Sequence, residues 1–278
     1  MLGINLLLWT AEPQQAHRPL LESLKNMGYE LVEIPAFHGE PEKCAALAPI
    51  LDELGLARTL LSARGADDNP VSPDPTIRRA AIENGKRSVD CALALGARKV
   101  VGPIHSGFGV HSGAGPTQAE WERSVEVTGE VAAYAKRHGV SLSLEFLNRF
   151  ECYLLNTTAD TARFVKDVGA GNVGILFDTH HANIEDEGFE ATLARYGGLV
   201  NHVHISESHR GSLGTGMVNW PAAFGALKKL GYEGDLVVEA FGTAVQELIP
   251  LVKVWRKAYD TEDALARKAF EFVSRNLH

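Results

Sequence analysis

Eight short runs rich in valine, isoleucine and leucine alternate with longer amphipathic segments along this chain of 278 residues. The runs are Gly3–Trp9, Tyr29–Pro35, Ala57–Ser62, Lys99–Ile104, Ser141–Leu147, Val173–Thr179, Val200–Ser206 and Asp235–Phe241. Most lack strict polar–apolar alternation, the pattern of parallel strands buried on both faces. The segments between them read as helices. RPLLESLKNMG and WPAAFGALKKLG close on Gly28 and Gly231, and glycine suits the left-handed C-cap. Eight such repeats predict an α/β fold, a single (β/α)8 TIM barrel, rather than an open doubly wound sheet. A phosphate-binding glycine loop is also missing after the first run. Ala264–Leu277 reads as a C-terminal helix that covers the barrel or meets a partner subunit. No linker-like tract interrupts the chain, so residues 1–278 are expected to form one domain.

Charge narrows the function classes. A net charge of -8 argues against a broad basic surface for nucleic acid or anionic lipid, and favours a small neutral substrate. MLGINLLLW lacks a basic leader and meets polar residues too soon to span a bilayer, so no membrane partner is expected. Cys44, Cys91 and Cys152 form no CxxC motif. They read as reduced thiols of a cytoplasmic protein.

Glu145, Asp178, His204 and Glu239 lie at or near the ends of the last four apolar runs. Their separations are roughly thirty positions, about one strand-plus-helix repeat. In a barrel of such repeats, the C-terminal strand ends converge on the face where active sites sit. Three carboxylates and an imidazole at one point would repel unless a divalent cation lay between them. Oxygen-rich ligation of this kind suits Mn²⁺, Mg²⁺ or Co²⁺ better than thiolate-held zinc. Glu151, His181 and Arg210 follow these positions at short offsets and would reach a polyol from loops above the metal. For Arg210, the alternative is a surface ion pair with Glu207 or Asp186.

The strings LEFLNRFE, FDTHHANIEDE, HISESHRGSLGTG and VVEAF resemble the ketose 3-epimerases of the xylose-isomerase-like barrel superfamily. GINLLLW and the late VWR at Val254–Arg256 extend the resemblance through the chain. It implies a homodimer or homotetramer acting on a free ketose such as D-tagatose, D-fructose, D-allulose or L-ribulose. The family's metal ligands fall on Glu145, Asp178, His204 and Glu239, and its substrate contacts on Glu151, His181 and Arg210. Its HS pair falls on His105 and Ser106, with Phe108 as an aromatic wall and Trp9 as the tryptophan closing the first strand. Glu33 matches a glutamate near the end of strand two, where a structural hydrogen-bonding role is an equal reading. Inverting C3 needs a proton taken from one face and another delivered to the opposite face, through an enediolate. Glu145 and Glu239 are the expected acid–base pair.

Departures fall in the first strand, with Asn5, Leu6, Leu7 and Leu8 where aromatic residues are common, and in His180–Asn183. They leave substrate preference open. The glycine-rich loop Gly102–Pro116 reads either as a mobile cover or as an ordinary connection, and GSLGTG as a flexible loop or a wall of the pocket mouth. Competing functions are an aldose–ketose, hydroxypyruvate or inosose isomerase on the same barrel, a metal-dependent nuclease, and a non-catalytic sugar-binding barrel.

Overall fold

The computed structural model describes residues 1–37 and 39–277. Eight parallel strands close into a barrel in chain order. They are β1 (Leu2–Asn5), β2 (Leu31–Pro35), β3 (Ala57–Leu61), β4 (Lys99–Gly102), β5 (Ser141–Glu145), β6 (Val173–Asp178), β7 (Val200–Ile205) and β8 (Leu236–Val238). β8 pairs back onto β1. Around the barrel run α1 (Arg18–Met27), α2 (Pro41–Leu54), α3 (Pro75–Leu95), α4 (Gln118–Arg137) and α5 (Thr158–Val168). They are followed by α6 (Thr179–Glu185), α7 (Phe189–Tyr196), α8 (Trp220–Leu230), the one-turn α9 (Ile249–Val252) and α10 (Glu262–Leu277).

The closed α/β barrel agrees with the reading of the sequence, but several strands stop earlier than their apolar runs. Strand one ends at Asn5 because its side-chain oxygen accepts the Leu7 N–H at 2.9 Å, which turns Leu6–Leu8 into a 3-10 helix. Asp178 likewise ends β6 and caps α6, accepting the His180 N–H at 2.7 Å. Apolarity alone does not reveal these stops. The capping side chain sets them.

Strand register explains how distant residues meet. Asn5, Glu33 and Thr59 are aligned partners across β1, β2 and β3, and Asp178 is aligned with His204 across β6 and β7. Aligned positions in a barrel share a layer, so these polar groups stack toward the C-terminal mouth. Val32, Leu60, Val100, Leu142, Ile175, Val203 and Val238 are buried and belong to the main apolar core.

Gly28 and Gly231 close α1 and α8 with φ of 109° and 65°, as expected for left-handed C-caps. The final helix α10 buries Leu265, Ala266, Ala269 and Val273, so it covers the barrel flank. The Tyr29 hydroxyl donates to the Ala266 carbonyl at 2.8 Å, and Phe270 meets the Tyr29 ring edge-on at 5.3 Å. In the glycine-rich connection, the stretch up to residue 110 is anchored. Phe108 N–H donates to the Arg64 carbonyl (2.8 Å), Gly107 N–H to Asn69 (2.9 Å) and Gly109 N–H to the Glu151 carbonyl (2.9 Å). Within this connection residue 109 and residues 111–116 are exposed. Among the described residues, no helix is long and apolar enough to cross a membrane.

Candidate active site

Glu145 ends β5, Asp178 ends β6, His204 lies on β7 and Glu239 directly follows β8. All four are buried, and each offers a donor atom within 4.8 Å of the others. His204 organises the group. Its Nε2 lies 2.7 Å from Glu33 Oε1. Glu33 is wholly buried and is an anion held by neighbours. It accepts from the Asn5 amide at 3.0 Å and the Thr59 hydroxyl at 2.9 Å, with His202 Nε2 also 3.0 Å away. A carboxylate behind Nε2 keeps the proton there and turns the other nitrogen forward.

That forward atom, His204 Nδ1, lies 3.5 Å from Glu145 Oε1 and 3.4 Å from Glu239 Oε1. It has no hydrogen-bond partner among the described residues. A buried lone pair facing carboxylate oxygens is repulsive unless positive charge lies between them. Burial works against charge on His204, but Glu239 and Glu33 outweigh it and push the imidazole well above its ordinary value. Positive charge at Nδ1, a proton or a metal ion, answers that field. Three carboxylates and one imidazole form a donor set that fits a hard divalent ion.

The carboxyls differ in their environments. Burial, only partly offset by His204, pushes Glu145 up to about 8, with the Glu239 charge adding to the rise. Burial also opposes ionisation of Glu239, yet His204 and Arg210 hold it below the usual carboxylate range. Burial raises Asp178 against the pull of Arg210, and raises Glu151 in the same way.

Arg210 is buried among these groups rather than paired on the surface. Its Nη1 donates to Asp178 at 2.7 Å, Glu239 at 2.8 Å and Ser206 at 2.9 Å. The alternative pairing with Glu207 or Asp186 does not form. Asp186 binds Thr158, and the Glu207 carboxylate accepts four N–H groups, from Ser208, Gly214, Val218 and the Trp220 indole. Arg210 adopts φ of 61°, a left-handed conformation that costs energy in a residue with a Cβ and is typical of functional sites. The strain is held by its N–H to Glu207 and by Phe241 N–H to its carbonyl.

His181 faces Arg210 at 2.9 Å. The Asn148 backbone N–H points at its Nδ1 at 3.0 Å and Arg210 Nη2 at its Nε2, so N–H groups face both ring nitrogens and a neutral ring accepts at only one of them. Burial, with Arg210 adding, keeps the ring neutral by pushing it well below its ordinary value. Arg210 Nε has no hydrogen-bond partner among the described residues, so its N–H is left for an oxygen entering the site. Beside it opens a cavity of about 390 Å³ lined by Asn148, Phe150, Glu151, His180, Arg210 and Trp255, among others.

The remaining expected contacts lie further out. His105 is fully buried with both nitrogens engaged, at 2.9 Å from the Glu145 carbonyl and 3.1 Å from Ser106. Its place is behind the end of β5. Phe108 is half-buried against the core, and the Trp9 indole donates to Asp263 at 3.2 Å. None of these three lines the cavity.

Reading of the sequence missed Glu207, His202 and Asn148. Glu207 ties down the GSLGTG loop, in which Gly216 leaves no room for a Cβ beside the Glu207 carboxylate. The NHVHIS run carried a signal for His202, since period two puts it on the same face as His204. Asn148 and Glu207 gave none, because their roles depend on backbone donors brought by loops.

The family model for a xylose isomerase-like TIM barrel matches residues 21–273. The L-ribulose 3-epimerase of Mesorhizobium japonicum is 33% identical over 99% of this chain and 94% of its own. The D-psicose 3-epimerase of Agrobacterium fabrum is 31% identical over 91% of this chain and 89% of its own. The D-allulose 3-epimerase of a Methylomonas species, solved in complex with D-allulose, superposes with a TM-score of 0.93. It is 29% identical, over 99% of this chain and 96% of its own. With the barrel, the buried donor cluster and these matches together, the chain belongs to the xylose isomerase-like TIM-barrel family and, within it, to the ketose 3-epimerases, which are isomerases.

Proposed function

We propose that this protein is a metal-dependent ketose 3-epimerase that inverts C3 of a free ketohexose or ketopentose. D-tagatose, D-fructose with D-allulose, and L-ribulose are the candidate substrates. The observation that carries the reading is the convergence of Glu145, Asp178, His204 and Glu239 around an unpartnered His204 Nδ1. These four residues would hold the ion, Mn²⁺ or otherwise Co²⁺ or Mg²⁺. When bound, such an ion polarises a ketose carbonyl and stabilises negative charge on its oxygen.

The chain's own residues supply the proton chemistry. Two neighbouring carboxyls whose environments pull their proton affinities apart make a ready acid–base pair. Glu239, held low, is the base that takes the C3 proton; Glu145, pushed up to about 8, is the acid that returns one. The roles exchange when the reaction runs backward. Arg210, steadied by His181 at 2.9 Å, offers its unpartnered Nε–H where a substrate oxygen gains negative charge, in a buried setting that strengthens the bond. Glu151, at the cavity wall, would accept from a hydroxyl at the carbonyl end of the sugar.

The test is turnover of D-fructose, D-tagatose and L-ribulose by protein stripped with EDTA and then resupplied with Mn²⁺ or Co²⁺. Stripping is expected to abolish epimerisation and either ion to restore it. Full activity in metal-free protein would end the proposal.

A further inference from the structure

Asn5 is the last residue of β1 and is wholly buried. Its amide is fully committed. The Oδ1 atom accepts the Leu7 N–H at 2.9 Å, which fixes which end of the amide is oxygen. The Nδ2 atom therefore points the other way, with its two protons aimed at two carboxylates. It donates to Glu33 Oε1 at 3.0 Å and to Glu239 Oε1 at 3.1 Å. Glu33 is the group that holds His204 Nε2, and it uses the same oxygen for both bonds. Asn5 thus stands between the anion behind the β7 imidazole and the carboxylate that follows β8.

We propose that Asn5 is a positioning residue, whose single amide braces Glu239 against Glu33 and so sets the distance between the β8 carboxylate and His204 Nδ1. The inference rests on the metal-centred reading of Glu239 and His204. Three features support it. The contact spans opposite ends of the chain, and only closure of β1 against β8 brings it together. Asn5 is aligned with Glu33 in the barrel register, so its amide is presented by backbone geometry rather than by a mobile side chain. Two anions this close need a shared donor, and a neutral amide supplies one without adding a charge. An apolar residue here would leave one oxygen of Glu239 without its buried donor and let the carboxylate rotate away.

The experiment uses the full chain stripped with EDTA, with Asn5→Ala, Asn5→Leu and Asn5→Ser compared with the parent. Mn²⁺ binding is measured by titration calorimetry, melting temperature by calorimetry, and kcat and KM at saturating Mn²⁺ on whichever ketose the parent epimerises. The parent is expected to bind Mn²⁺. The Ala and Leu variants should bind it roughly 10–100-fold more weakly, the range for loss of a residue that orients a ligand. At saturating Mn²⁺, kcat should fall while KM stays within about twofold, because the sugar-binding groups are untouched. Asn5→Ser keeps a polar group in a smaller side chain and guards against failure to fold. Variants with parental Mn²⁺ affinity and kcat but a lower melting temperature would overturn the inference and leave Asn5 a structural cap. A parent that binds no divalent ion would overturn the underlying reading and this one with it. A parent that binds Mn²⁺ but epimerises nothing would remove the proposed reaction while the affinity comparison still decides the role of Asn5.

Discussion

At the scale of single residues, the proposal depends on two buried carboxyls less than a side chain's length from one imidazole nitrogen. Glu239→Gln keeps the shape and the Asn5 contact but removes the base. Turnover is expected to fall by about 100-fold or more, within the range for loss of a general base, while the far-ultraviolet circular dichroism spectrum stays that of the parent. More than about a tenth of parental kcat would remove Glu239 from that role. The four donors were legible from the sequence because each lies near the C-terminal end of an apolar run, where a barrel concentrates chemistry. Glu33, His202 and Asn148 were much less so. They act through His204 and His181, and only register and loop closure bring them near.

At the scale of elements, the segment between β7 and α8 depends on Glu207. Its carboxylate accepts N–H groups from Ser208, Gly214, Val218 and Trp220, and so ties the GSLGTG loop to the end of the strand that carries His204. Glu207→Ala would leave those donors without an anion in a buried setting. We expect destabilisation of roughly 2–4 kcal/mol, the cost of breaking a buried charged hydrogen-bond cluster, measured by urea unfolding. A loss below about 0.5 kcal/mol would mean that water replaces the carboxylate. The two readings of this loop, flexible connection or pocket wall, could not be separated from composition, because rigidity here comes from a single acidic residue outside the glycine-rich stretch. The early end of β1 has the same origin. Leu6–Leu8 are as apolar as any strand, and the Asn5 cap turns them away.

At the scale of the whole molecule, the closed barrel was readable from eightfold alternation alone. Substrate preference was not, because it depends on the shape of the cavity that the loops enclose. The interior polarity of this barrel also has a consequence for stability. His105, His180, His181 and His202 are all buried with proton affinities below the ordinary histidine value, chiefly through burial. His105 is lowered to about 4. Between its unfolded value of about 6.5 and this folded value, the unfolded chain binds a proton that the native chain refuses, so stability falls as pH drops through that window. The expected loss for His105 alone is on the order of 3 kcal/mol. His105→Gln should flatten the fall in urea midpoint between pH 7 and pH 4, and an unchanged slope would show that His105 titrates normally in the fold.

The central claim is that a proton leaves and rejoins C3 at the Glu145–Glu239 pair beside a bound cation. The most direct measurement is nuclear magnetic resonance of the product formed from a ketose by the Mn²⁺-loaded protein in deuterated water. The account predicts an epimer carrying deuterium at C3 and nowhere else on the carbon skeleton. An epimer formed without deuterium at C3, or with the label at C1 instead, would contradict it.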